Sequence, residues 1–198
     1  MKNQFLLLTF VLLLCLKSWS QEKSNPILFS EAYLGPALGR ASGFSIGMGL
    51  NYQLKAHLFT LRYTSVTQND TDWVFIFPVI KTLEQTDEFA LLYGRRHLYG
   101  NHSFSYSSGI SYVKNKELIS EANDVFTYDT QQGAGLPFEV NIKWFNAKKE
   151  RYRVLFLVPI GQPISFSRSI GFKLYGNISK NSFVGLGVNY GFGWHKNY

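Results

Sequence analysis

Cysteine occurs once in 198 residues, at Cys15, and proline only six times. A disulfide scaffold and a cysteine-based zinc site are therefore excluded. Charged residues make up 17%, below the usual quarter, while aromatic residues also reach 17%, which excludes disorder and a coiled coil. Helical periodicity is missing from every window, and the one long apolar run falls short of the ~20 residues a membrane helix needs. Acidic residues are the scarcer sign: 13 Asp and Glu face 20 Lys and Arg, a formal charge of +7. Where that excess sits decides whether nucleic acid is a partner.

The apolar run belongs to the first twenty residues. Lys2 is followed by Phe5 through Leu16, and Ser18 and Ser20 place small side chains where a signal peptidase inspects them. This is a secretory signal peptide with cleavage expected after Ser20. A lipidated Cys15 and an uncleaved anchor are the alternatives; Leu14 stands where a lipoprotein would carry a small residue. Residues 21–198 then form a single cysteine-free domain of charge +5, as suits a bacterial envelope protein.

What the mature chain does have is alternation. Phe44, Ile46, Met48, Leu50 and Tyr52 oppose Ser45, Gly47, Gly49, Asn51 and Gln53. Val184, Leu186, Val188, Tyr190, Phe192 and Trp194 oppose Gly185, Gly187, Asn189, Gly191 and Gly193. Similar stripes run from Phe59, His102, Leu136 and Phe172. A soluble sandwich or a lipocalin-like binder would bury the apolar face, leaving Lys, Glu and Thr in water. Here the second face is mostly Gly and Ser, which weaken a strand unless space demands them. Small residues suit the interior of a narrow barrel whose apolar face meets lipid. The expected fold is therefore an all-β, eight-stranded, antiparallel up-and-down transmembrane β-barrel.

Strands are expected at 28–38, 43–54, 57–68, 86–97, 102–114, 135–145, 168–178 and 182–194. An even count puts both termini on one side, the periplasm. Turns near Lys55-Ala56 and Tyr99-Gly100-Asn101 then lie inside, and residues 69–85 and 115–134 become long outer loops. Residues 146–167 are a long inner connection. The runs Val154–Ile160 and Val74–Ile80 are expected to cap a barrel mouth or lie at an edge because each holds a proline; were both strands, the barrel would have ten.

This threading places aromatic belts at both interfaces, with Tyr52, Tyr93, Tyr106, Trp144, Tyr190 and Trp194 towards the inner end and Tyr112 towards the outer. Outer connections hold nine acidic residues, Glu88 among them, against five basic ones. The inner side carries a basic rim that includes Arg95, Arg96, Lys148, Lys149, Arg151 and Arg153. The positive excess is thus a rim facing anionic headgroups or another polyanion, not a nucleic-acid groove. Glu31, Arg62, Glu139, Lys143 and Lys173 fall on the small-residue face and are expected to form an ion network that plugs the lumen.

The arrangement resembles the small eight-stranded outer-membrane barrels of the OmpA/OmpX type, in particular the outer membrane protein beta-barrel domain proteins. The resemblance rests on the signal peptide, Glu31-x-x-x-Gly35, Glu88–Arg95, Leu136-Pro137-Phe138-Glu139, and the hairpin from Tyr175-Gly176-Asn177-Ile178 into Ser182–Gly185. It implies a bacterial outer-membrane protein inserted by the barrel assembly machinery, usually without an assigned activity. His195–Tyr198 extends past the usual aromatic end, and 146–167 departs from a short turn.

Catalysis finds little support. His102 and Ser103 are adjacent, so on a strand they point apart and do not pair as base and nucleophile. His57, His97, His102 and His195 are all expected at the inner rim, and no pair has ligand spacing. Gly47-Met48-Gly49 lacks the helix a phosphate cradle needs. The expectation is a non-enzymatic envelope protein without cofactor, a monomer in contact with outer-membrane lipid and lipopolysaccharide, interacting through loops 69–85 and 115–134. A soluble ligand binder, a lipid A-modifying barrel and a narrow pore are the alternatives.

Overall fold

The computed structural model describes residues 26–74, 77–122, 125–146, 148, 150–154, 158–164 and 166–196. The expected leader lies outside them. The strands are β1 (Ile27–Gly39), β2 (Gly43–Leu54), β3 (His57–Val74), β4 (Phe77–Tyr99), β5 (His102–Ala122), β6 (Val125–Phe145), β7 (Glu150–Val154), β8 (Val158–Ile164), β9 (Phe166–Ile178) and β10 (Phe183–Trp194). Eight of them close a barrel in the order β1-β10-β9-β6-β5-β4-β3-β2, and every pairing is antiparallel. The strands β7 and β8 pair only with each other in a separate hairpin, so the ten-stranded alternative is excluded.

Period-two alternation decides which way each side chain points, because successive residues of a strand face opposite sides. Leu34, Phe44, Leu91 and Phe172 are more than half exposed on the outside, whereas Tyr33, Ser45, Leu92 and Lys173 are buried in the lumen. This is the reverse of a lipocalin-like barrel, which packs apolar residues inside; that alternative is overturned by the orientation. The glycines on the inner face make room for large neighbours on the adjacent strand. Gly47 pairs with Tyr33 and Gly185 with Tyr175, and a Cβ at either glycine would overlap the facing ring.

The start of β1 and the end of β10 lie side by side at one end of the barrel. Two-residue turns close that end at 55–56 and 100–101, each with a left-handed first residue: Lys55 at φ 55° and Gly100 at φ 57°. The opposite end is asymmetric. While β1, β2, β9 and β10 have 12 or 13 residues, β3 to β6 have 18 to 23. The long loops expected at 69–85 and 115–134 are therefore corrected to continuous hairpin ribbons. The first pairs out to Val74↔Phe77 and the second to Ala122↔Val125. Seven residues of β3 continue past its last partner on β2, roughly 23 Å along the strand. The 77–80 part of the run expected to cap a mouth is the end of the first ribbon, with Pro78 opposite Trp73. Beyond Glu84 the strand β4 has no partner on the β5 side, so Pro78 withholds no ladder hydrogen bond there.

Candidate functional site

Two regions carry chemistry: the lumen and the far end. The lumen holds an alternating chain of charges. On β6 at the terminal end, the Lys143 ammonium donates to Glu31 of β1, and Glu31 also accepts from Lys173 of β9. The Lys173 ammonium lies 2.9 Å from Glu139 of β6. Arg62 of β3 donates to Glu139 at 3.4 Å and to Glu88 of β4 at 2.7 Å. The guanidinium further donates to the carbonyls of Phe138 at 3.0 Å and Gly176 at 3.2 Å. Glu88 also accepts from the Asn177 amide, and Asn189 donates to Glu31 at 3.2 Å. The structure thus brings Glu31, Arg62, Glu139, Lys143 and Lys173 together, every one of them buried.

Two members of the lumen set were expected elsewhere. Glu88 was assigned to the outer connections and Arg96 to the basic rim; both are buried, at 0% and 2% exposure. The reason is parity. On β4, Glu88, Ala90, Leu92 and Arg96 alternate with the outward Phe89, Leu91, Tyr93 and Arg95. The parity is legible in the sequence, whereas distance along the strand alone places both residues near the barrel ends. Arg96 closes the terminal end, donating to Gln53 and to the His195 carbonyl, both at 3.1 Å, and to the Ser103 hydroxyl at 3.1 Å. Its guanidinium lies 4.7 Å from the Phe29 ring centre and 5.6 Å from that of Phe145. His195, also expected at the rim, is buried against the same two rings.

Among the described residues, three buried carboxylates therefore face four buried cations. Towards the ribbon end the filling becomes aromatic and apolar, with Tyr33, Ala37, Ala41, Val66, Tyr175 and Phe183 in one cluster. Tyr33 shares a 2.5 Å hydrogen bond with Thr64, and Tyr175 bonds Ser45. Side chains from opposite walls thus fill the section, as expected of eight strands.

The remaining predicted residues lie outside the lumen. Tyr52, Tyr93, Tyr106, Tyr112, Trp144 and Tyr190 are exposed on the outer wall, and Trp194 is partly covered, stacked on Phe166 at 5.1 Å. Of the basic rim, Arg95, Lys148 and Arg151 are exposed; Lys149 lies outside the described residues, and Arg153 is placed only by its backbone in β7. His102 is exposed while Ser103 is buried on the opposite face. No cluster of three metal-ligating side chains occurs among the described residues.

The second region is the ribbon end. The ladder of β2 stops at Phe44↔Thr67, and that of β9 stops at Leu136↔Ile178. Residues 68–74 of β3 and 125–135 of β6 are therefore paired on one side only. The β6 edge carries one charge, Asp129, and no Pro or Lys, the residues that usually blunt an edge.

The sequence matches no protein-family model and no curated protein. Solved structures do share the fold. Neisserial surface protein A is 11% identical with a TM-score of 0.51, over 84% of this chain and 95% of that one. The attachment invasion locus protein Ail of Yersinia pestis, solved in complex with the heparin analogue sucrose octasulfate, is 8% identical with a TM-score of 0.51, over 86% and 98%. The chain therefore has the fold of the small eight-stranded outer-membrane barrels.

Proposed function

We propose that this protein is an integral barrel of a bacterial outer membrane, non-enzymatic, whose two ribbons outside the membrane form an interaction surface. One observation carries the membrane reading: rows of Leu, Phe, Ile and Val face outward on the strands while seven charges are sealed inside. Water disfavours the outward apolar rows and a hydrocarbon surrounding stabilises them, while the sealed charges are offset by pairing with one another. The closed backbone ladder leaves no edge within the apolar band, the condition for a sheet to cross lipid. The plugged lumen argues against solute passage.

The interaction role follows from the edges. An extended peptide added to β6 would satisfy the backbone groups of 125–135 by strand addition. Asp70, Asp72, Glu84, Asp87, Glu117, Glu121 and Asp129 outnumber Lys81, Lys114 and Lys116 along the ribbon segments. A sulfated polyanion of the kind bound by Ail is thus the wrong charge for these ribbons, and an extended protein segment or cationic surface the right one.

The test is expression of the full chain in a Gram-negative host. Carbonate-resistant membrane association and a heat-modifiable gel band are expected, and extraction as a detergent-free soluble protein would overturn the membrane reading. Cells whose ribbons are shortened to tight turns at 69–85 and 115–134 should keep the barrel and lose attachment to protein-coated surfaces. Unchanged attachment would overturn the interaction role.

A further inference from the structure

The outward apolar rows are interrupted on β5. Between Tyr106 and Ile110 stands Ser108, exposed, paired with Tyr93 on β4 and Phe138 on β6. The short side chain leaves a notch among the larger outward side chains Tyr93, Tyr106, Ile110 and Phe138 around it. Two grooves meet at Ser108 and Tyr93. One, of about 540 Å³, runs over Leu61, Leu91 and Ile110. The other, of about 340 Å³, is lined by Tyr93, Arg95, Tyr106, Phe138 and Val140.

The head of this notch is basic. Arg95 lies across from His57 on β3 and Tyr106 on β5, and His97 follows on the same face. His57 stacks on Tyr93 at 5.9 Å, its Nδ1 2.6 Å from the hydroxyl, and His97 stacks on Tyr106 at 6.3 Å. Each imidazole thus packs on a phenol ring beside Arg95, Tyr93 two residues before it on β4 and Tyr106 across from it on β5. Outward positions 57–63, 89–97 and 104–112 of these strands carry no carboxylate. Arg95 is the first charge beyond the apolar stretch of its strand towards the terminal end, the depth at which headgroups lie.

We infer that this notch binds one phospholipid of the inner leaflet, its phosphodiester held by Arg95 and one acyl chain crossing Ser108 into the apolar groove. A guanidinium fork matches two phosphate oxygens, and a groove that is apolar at one end and basic at the other matches the two parts of the lipid. The inference rests on the membrane reading above and adds a partner and a place to it.

The experiment is native mass spectrometry of the full folded chain in nonionic detergent, with dioleoylphosphatidylglycerol or with dioleoylglycerol, which lacks the phosphate. One retained phosphatidylglycerol is expected on the wild type and about tenfold less dioleoylglycerol. Arg95→Gln removes the phosphate contact and Ser108→Phe fills the notch; each should lower phosphatidylglycerol retention about tenfold. Lys148→Gln, a change on the exposed connector, should leave retention as in the wild type. Equal retention by Arg95→Gln and the wild type overturns the site, and so does an equal loss in Lys148→Gln, which would mark diffuse attraction to the rim. Ser108→Leu replaces Ser108→Phe if the latter loses its heat-modifiable band. A chain that stays folded and membrane-bound without retained lipid refutes this inference alone; a chain that never partitions into membrane refutes the reading beneath it.

Discussion

Replacing Arg62 with Met removes the cation that joins Glu88 to Glu139 while keeping most of its volume. Glu88 then retains the Asn177 amide, and Glu139 retains Lys173 at 2.9 Å. The loss is therefore concentrated on Glu88, a fully buried carboxylate left without a cation among its described partners. Breaking one side of such a buried pair costs about 3–5 kcal/mol, because the surviving charge stays desolvated. That rivals the whole stability of many domains, ~5–15 kcal/mol. The double variant Arg62→Met/Glu88→Gln deletes one charge of each sign and leaves the lumen at the same net charge. It should recover at least half of the loss, so the two substitutions are strongly non-additive. Urea unfolding in short-chain phosphatidylcholine vesicles, followed by tryptophan emission and gel mobility, measures both. Arg62→Met within about 0.5 kcal/mol of wild type, or a double variant as unstable as the sum of the singles, would refute a dry, tightly paired lumen.

Two further outcomes follow from the wall and the ribbons. A Cβ at Gly109 would collide with the Leu91 carbonyl and the Leu92 backbone, neither of which can rotate away, so Gly109→Ala should cost about 1–3 kcal/mol in the same titration. Gly133→Ala, with open space around the site, should cost far less; equal losses would refute the steric account. On the ribbon end, Glu84 lies opposite Glu117, and burial together with that facing charge raises its carboxyl pKa against a hydrogen bond with Asn115. The folded ribbon holds this proton to a higher pH than the unfolded chain does. Its stabilisation is therefore present below the ordinary carboxylate range and lost as pH rises through the raised value. Amide protection factors around 82–86 and 115–118 should fall between pH 4 and pH 7 in the wild type and change less in Glu84→Gln; identical profiles would refute the pairing.

The barrel was legible because lipid and lumen impose opposite demands on alternate residues. Phe44 to Tyr52 and Val184 to Trp194 show the stripes directly, and parity alone placed Glu31, Lys143 and Lys173 on one face. The ribbons were not legible for the complementary reason. Polar residues occupy both alternating faces there, so Gln68–Asp72 and Asn115–Glu121 have no apolar stripe to mark them as strand. Their strand character comes from pairing with one another, which composition does not record. Pro78 and the adjoining apolar residues imitate a cap, although at an unpaired edge a proline breaks nothing. Arg95 and Arg96 show how far a single position matters: neighbours in sequence, one faces outward and the other seals the lumen.

On the proposed reading, the fold and the interaction surface are carried by different parts of the chain. The wall asks for parity, small residues opposite large ones and a lumen whose charges pair, and many sequences meet those terms. This explains why Ail shares the fold at 8% identity. What the wall leaves unspecified is where this chain can be distinctive. The free edges at 68–74 and 125–135, the acidic ribbons and the Ser108 notch are not required for closure. Substitutions there should leave the heat-modifiable barrel intact while changing what it holds, whereas substitutions at Arg62 or Gly109 should do the reverse. That separation follows from the geometry: the sealed lumen has no access to a partner, and the ribbons and outer wall contribute little to the packing inside.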